Sequence, residues 1–224
     1  MRVNKGLMIA ATFDPTKRTS LITVADMCRK IEENSISLPL YQRDISWTLQ
    51  KCIDLLNYQL WGKAPVSPIS INVINTVDSA VPQVSFIDRE IISTIERGQY
   101  SVVDGQQRLT TNYKAYCNHD DFRNIVLDLG KGEFTEVRDS IRSNQIPVGI
   151  LLNKEDTKLF EYTKAKSALG SADVLSVLLQ VRSKMRNYNY TLNSAEDLTE
   201  DEQIEWFEVL NNAGSRVSII QMRF

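Results

Sequence analysis

Histidine is almost absent: the 224-residue chain holds one, His119. A His-based zinc site, an HNH nuclease centre and a metalloprotease motif each need more imidazole than one residue supplies. His119 falls in the polar stretch CNHDD, which reads as a solvated loop. Cysteine is scarce too. Cys28, Cys52 and Cys117 are odd in number and form no CxxC, so they read as free thiols of a reducing compartment. No apolar run approaches the ~18 residues of a membrane span. The N-terminal MRVNKGLMIAATFDPTKR lacks the continuous apolar core of a secretory signal. A cytoplasmic protein without membrane attachment is the expectation. An excess of charge is also missing: 26 Lys and Arg against 28 Asp and Glu leave −2. Composition therefore gives no general attraction to nucleic acid, and any DNA contact would come from a local basic patch.

What is present is globular. A hydrophobic content of 42% with 24% charged residues is enough to bury a core without disulfide staples. Val24, Met27, Cys28 and Ile31 recur at helical spacing behind Thr23, predicting a helix over 24–34. Thr48 caps a second helix with Leu49, Cys52, Ile53, Leu56 and Leu60 on one face. ISINVI (69–74) alternates as a strand, 75–82 reads as a hairpin loop, and VSFI (84–87) is a further strand candidate. Residues 99–103 read as a strand and 106–117 as a helix, followed by strand candidates at NIVLDL (124–129) and VGILL (148–152). Beyond residue 154 the patterns turn helical, in KEDTKLFEYTKAKSAL, SADVLSVLLQVRSKMRNYNY and TEDEQIEWFEVLNN. Thr199 with Glu202 forms a capping box for the last. The expected fold class is mixed α/β (α+β). A core over 1–153 would be joined by a helical part over 154–224 packed on it.

Three stretches gather polar side chains. In YSVVDGQQRLTT an apolar strand delivers Asp104, Gly105 permits a tight turn, and a helix starts near Gln106. Free N–H groups at that helix start, with Arg108, suit a phosphate. Asp104 could cap the helix, hold a metal, or orient Arg108; a capped turn with exposed amides accounts for the residues equally well. In LPLYQRDISW, Pro39 favours an extended chain carrying Gln42 and Arg43. Arg43 reads either as a second cation for the same phosphate or as a loop salt bridge. In WFEVLNNAGSRVS, Asn211 and Asn212 precede Gly214, an ordinary helix stop whose amides could reach a ligand.

Together these stretches resemble, in order, the signature segments of the GmrSD-type N-terminal domain family: Leu38 to Trp47, Asp104 to Thr111, and Phe207 to Gly214. DGQQRLT is the specific part, and WGKAPVSPISINV (61–73) stands where the family links helix to strand. The resemblance implies a ParB/sulfiredoxin-like core that binds a nucleoside triphosphate with Mg²⁺. Catalytic roles are implied for Asp104, Gln107 and Arg108, with Asp104 also a Mg²⁺ ligand. Nucleotide contacts are implied for Gln42, Arg43, Gly105, Gln106, Thr110 and Asn211. The implied role is the sensing, NTP-hydrolysing half of a modification-dependent restriction or anti-phage system. Its partners would be DNA, including modified DNA, and a nuclease on a partner subunit or a following domain; a homodimer is open. The alternative is a non-catalytic DNA- or protein-binding regulatory module. A nuclease acting from this core alone is disfavoured, because no carboxylate cluster has metal-site spacing. With its end at Phe224, the chain is expected to be a lone module, a truncated piece or one subunit of a pair.

Overall fold

The computed structural model describes residues 3–14, 18–42 and 47–212. A short helix α1 (Lys5–Ala10) precedes strand β1 (Thr19–Thr23), helix α2 (Val24–Glu32) and strand β2 (Ile36–Pro39). Helix α3 (Leu49–Trp61) leads to β3 (Ile69–Ile74), β4 (Gln83–Val84) and β5 (Gln99–Asp104), and helix α4 (Gln106–Tyr116) follows at once. Next come β6 (Ile125–Asp128), β7 (Glu133–Glu136), β8 (Gln145–Pro147), α5 (Val148–Leu151), α6 (Asp156–Ala165), α7 (Ala172–Arg186), β9 (Asn189–Glu196) and α8 (Glu200–Asn212). The fold is mixed α+β, as the sequence patterns imply.

Local chemistry explains most boundaries. Thr23 Oγ1 accepts from Asp26 N to start α2, whose Val24, Met27, Cys28 and Ile31 are buried. Thr48 caps α3 in the same way. At α8, Thr199 N donates to Glu202 Oε2 while Glu202 N donates back to Thr199 Oγ1, a reciprocal box.

Six strands form a mixed sheet in the order β1-β9-β3-β5-β2-β4, with β9–β3 and β5–β2 parallel and the other neighbours antiparallel. The separate sheet β7-β6-β8 is antiparallel. One face of the large sheet, through Ile36, Leu38, Ile69, Ile71 and Val102, packs on α2 and α4. A second core joins α3, the small sheet and α5–α7. Leu109 of α4 belongs to the first core and Ala115 to the second, so α4 is held from both sides.

Three element readings are corrected. The helical pattern through Tyr190 ends at Arg186, and 189–196 is a strand that returns into the sheet between β1 and β3. VGILL is a short buried helix rather than a strand, with the actual strand just before it at Gln145–Pro147. An apolar run this short satisfies either period once buried all round. The VSFI strand shrinks to Gln83–Val84 with an isolated bridge from Val84 to Ile91.

Asp128 shows how the small sheet is closed. Its Oδ1 accepts from Gly130 N, Lys131 N and Asn144 Nδ2, and its Oδ2 from Gln145 Nε2 at 2.7 Å. The Gln145 bond, then the backbone donors, hold this carboxyl below the usual carboxylate range. A carboxyl depressed by folding contributes stability that is complete above its unfolded pKa of ~3.9 and is lost as pH falls through the folded value. Asp128→Asn is therefore expected to lower the melting temperature at neutral pH. The gap to wild type should close as both are acidified below about pH 4. Asp156 and Asp197 are depressed as well, so wild type keeps some acid sensitivity without Asp128. Melting curves across pH give the test; a gap that stays constant with pH removes Asp128 from the acid response.

Candidate functional site

The DGQQR turn lies where β5 ends and α4 begins. Gly105 adopts φ 101°, a left-handed conformation that L side chains rarely take, and a Cβ there would stand 2.4 Å from Ile69 Cδ1. No side chain caps α4 at this residue, so its first-turn N–H groups carry no capping acceptor. The carboxylate of Asp104 points instead to Arg108. Its Oδ2 accepts from Arg108 Nη2 at 2.9 Å, which settles two of the three alternatives for Asp104: it orients the arginine and does not cap the helix. The same guanidinium donates from Nη1 to Ser67 O at 3.1 Å and from Nη2 to Pro68 O at 3.2 Å. Only 14% of the Arg108 side chain is exposed, so it is a built-in strut as well as a cation.

The other segments reach the same strand end. Gln42 Nε2 donates to Val102 O at 2.8 Å and Val103 O at 2.9 Å, the last carbonyls of β5 before Asp104. Its Oε1 is buried and has no partner among the described residues, and Thr110 Oγ1 on α4 shares that condition. Trp47 N donates to Gln107 Oε1 at 3.0 Å, joining the end of the QR segment to the DGQQR helix. Gln106 is half-buried at the first position of α4. Helix α8 packs against β5, and Tyr41 OH donates to Gln203 Oε1 of that helix. Burial, then Glu200, pushes the Tyr41 hydroxyl up to about 12, so it remains a donor at neutral pH. The QR and DGQQR segments thus meet at the end of β5, and α8, which leads into the third segment, packs against the same strand through its earlier residues.

At residue level the convergence is incomplete. Asn211 Nδ2 donates to Phe207 O inside its own helix and its side chain is exposed. Arg43 and Gly214 lie outside the described residues. Sequence reasoning missed Arg89, whose Nη2 donates to Gln42 O at 2.6 Å and to Leu40 O at 3.3 Å and so clamps the QR segment. Nothing in the loop sequence SFIDRE distinguishes that arginine from a solvated one; its positive φ of 54° appears only in the fold.

Beneath α8 the second face of the sheet is polar and buried: Ser37, Asn72, Gln83, Gln99 and Ser101. Gln99 Nε2 donates to Ser37 Oγ, which donates to Gln83 Oε1. Cavities of about 450 and 460 Å³ lie away from the turn, one lined by Lys30, Arg97 and Gln99 at the opposite end of β5, the other by Arg182 and Arg186. Among the described residues no three His, Cys, Asp or Glu side chains form a metal-holding group. Cys28, Cys52 and Cys117 are free thiols, and burial raises the pKa of each. His119 caps a short turn, its Nδ1 accepting from Asp121 N. No helix among the described residues is long and apolar enough to cross a membrane.

No curated protein matches the chain. A family model described as the GmrSD restriction endonuclease, N-terminal domain, matches residues 24–223.

Proposed function

Because the chain belongs to the GmrSD restriction endonuclease N-terminal domain family, and so to a component of restriction systems, we propose that it binds and hydrolyses a nucleoside triphosphate at the DGQQR turn. The observation that carries this reading is the uncapped start of α4 directly over Gly105, at the end of β5. Backbone N–H groups at the start of an eleven-residue helix, beside a guanidinium, form an anion site that needs no further residues. Arg108 donates three of its five N–H groups to the fold, and among the described residues the other two are left for phosphate oxygens. Arg43 is proposed as the second cation.

Gln42 supplies a different element. Its amide nitrogen is pinned to β5, so the Oε1, unpartnered among the described residues, is fixed and accepts only from a donor. A carbonyl oxygen repels phosphate, so it suits a nucleotide hydroxyl or an attacking water, and positioning a nucleophile is a known task for a glutamine amide. Thr110 offers a second oxygen on α4 that is unpaired among the described residues. The residues fit Mg²⁺ as an ion carried by phosphate, since among the described residues Asp104 belongs to no group of three metal-holding side chains and Mg²⁺ takes one or two carboxylates with substrate oxygens. When bound, that ion would neutralise phosphate charge; Asp104 would hold it, and Arg108 would be released toward the nucleotide. Gln107 keeps the Trp47 backbone in place, and Asn211 is proposed to approach the nucleotide from α8.

A second reading has its own support. With Asp104 neutralising Arg108, the turn is self-satisfied, as expected of a regulatory module that binds DNA or protein without turnover. Phosphate release from each NTP with Mg²⁺, with and without DNA, separates the two. Hydrolysis by the wild type, and its loss of tenfold or more in Gln42→Leu with nucleotide affinity kept, is the expected pattern. Binding with no phosphate release establishes the regulatory reading instead.

A further inference from the structure

Arg182 and Arg186 stand one turn apart on α7 and converge on a single acceptor, Oδ1 of Asp156, at 2.5 and 3.0 Å. The Arg182 side chain is only 6% exposed, and it also donates from Nη1 to Leu151 O and from Nη2 to Asn153 O, which fixes the guanidinium at the end of α5. Burial lowers its pKa, the Asp156 bond opposes that, and the Arg186 charge adds to the lowering. Like charges at this spacing repel on a helix, and here one carboxylate serves two of them. That carboxylate is itself 73% exposed, so water weakens its hold. The other carboxylates at the start of α6 and on α2 have partners of their own: Glu155 with Lys158, Asp26 with Arg29, and Glu32 with Lys154. The cluster therefore holds two cations against one exposed anion.

An open cavity of about 460 Å³ lies against this pair, a volume in the range of small-ligand sites. Phe160 and Leu179, both exposed, give it an apolar wall. We propose that the cavity binds a small organic anion, a carboxylate or phosphate monoester with an apolar body. Its oxygens would take the place of Asp156 on Arg182 and Arg186, whose forks match either group, while the body lies on Phe160 and Leu179. Asp156 is then a tethered stand-in for the ligand. Among the described residues its side chain gives up only the two arginine bonds when it swings out. The depth of Arg182 favours a ligand that enters the cavity over a duplex backbone, which is convex and rests on exposed cations. The proposal is independent of nucleotide binding at the DGQQR turn, none of whose residues lines this cavity.

The test titrates the whole chain with phenyl phosphate, benzoate and inorganic phosphate in calorimetry and thermal melts, with benzyl alcohol as the uncharged control. Phenyl phosphate or benzoate is expected to bind and to raise the melting temperature, and the tighter of the two identifies the oxyanion. Inorganic phosphate should bind about tenfold more weakly than its phenyl ester, because it leaves the apolar wall uncovered. Arg186→Gln should weaken binding by about tenfold, and Phe160→Ala should erase the advantage of the phenyl group. Asp156→Asn separates a ligand site from a plain ion pair. Its melting temperature should fall in buffer and return toward that of the wild type on adding the anion, with affinity raised about tenfold. A plain ion pair predicts the fall without the rescue, and that result would overturn the proposal. So would wild-type affinity in both Arg186→Gln and Phe160→Ala, benzyl alcohol binding as well as the anions, or no anion binding at all. If Asp156→Asn does not fold, the Arg186 and Phe160 variants decide alone.

Discussion

Replacing Arg108 by Ala is expected to reduce NTP turnover by about 10²–10³, the usual loss when one preorganised donor to a transferring phosphoryl group is removed. The structure adds a second consequence. Arg108 is only 14% exposed and is bonded to Ser67 O, Pro68 O and Asp104, so its loss also bears on stability. Cutting these bonds leaves Asp104 without its counter-charge and should cost about 1–3 kcal/mol of stability. Arg108→Lys separates the effects, since an ammonium keeps the charge but cannot span three acceptors in a fork. Turnover is expected to recover partly while the melting temperature stays low. Gln107→Ala should affect turnover less, because the amide contributes no full charge and its observed task is to accept from Trp47 N. Phosphate-release kinetics beside thermal melts read both quantities; an Arg108→Ala protein with wild-type kcat ends the catalytic role of this side chain.

Gly105→Val is expected to be the most damaging single change at the turn, at roughly 2–5 kcal/mol. Two causes add. A β-branched residue is forced to φ 101°, and its Cβ meets the Cδ1 end of the fully buried Ile69 side chain, which must shift. The steric part can be isolated. Gly105→Ala places a Cβ at the same point, and Ile69→Val deletes the Cδ1 atom it strikes. The double variant Gly105→Ala/Ile69→Val should therefore be more stable than the sum of its single changes, by an amount a double-mutant cycle in urea measures. Strict additivity would show that backbone strain alone makes glycine necessary.

How much of this was legible in the sequence follows from what each segment must satisfy. The strand–turn–helix at 99–116 was readable because the period changes at Gly105 and polar residues enter at once. The caps Thr23, Thr48 and Thr199 were readable because short-range hydrogen bonding alone sets them. Strand β9 was not. Its NYTLNSAE contributes Asn and Ser to a sheet with a polar second face, so its alternation is not apolar against polar, and it follows a helix without a strong stop. Asp104 was open among three roles, and only the turn geometry showed that it orients Arg108 and does not cap the helix. Arg89 carried no signal, since its clamp on Leu40 O and Gln42 O joins residues far apart in sequence. Asn211, expected at the site, turns to its own helix carbonyl, which suits a residue in the last turn of α8 as well as a ligand would.

Amide chemical-shift mapping during titration with each Mg-NTP tests the central claim most directly. A nucleotide site at the turn predicts that the largest shifts fall on the amides of Gly105, Gln106, Gln107 and Arg108, with the Gln42 side-chain amide moving alongside them. Shifts confined to the cavity around Lys30 and Arg97 at the far end of β5, or no shifts with any of the four nucleotides, would contradict it.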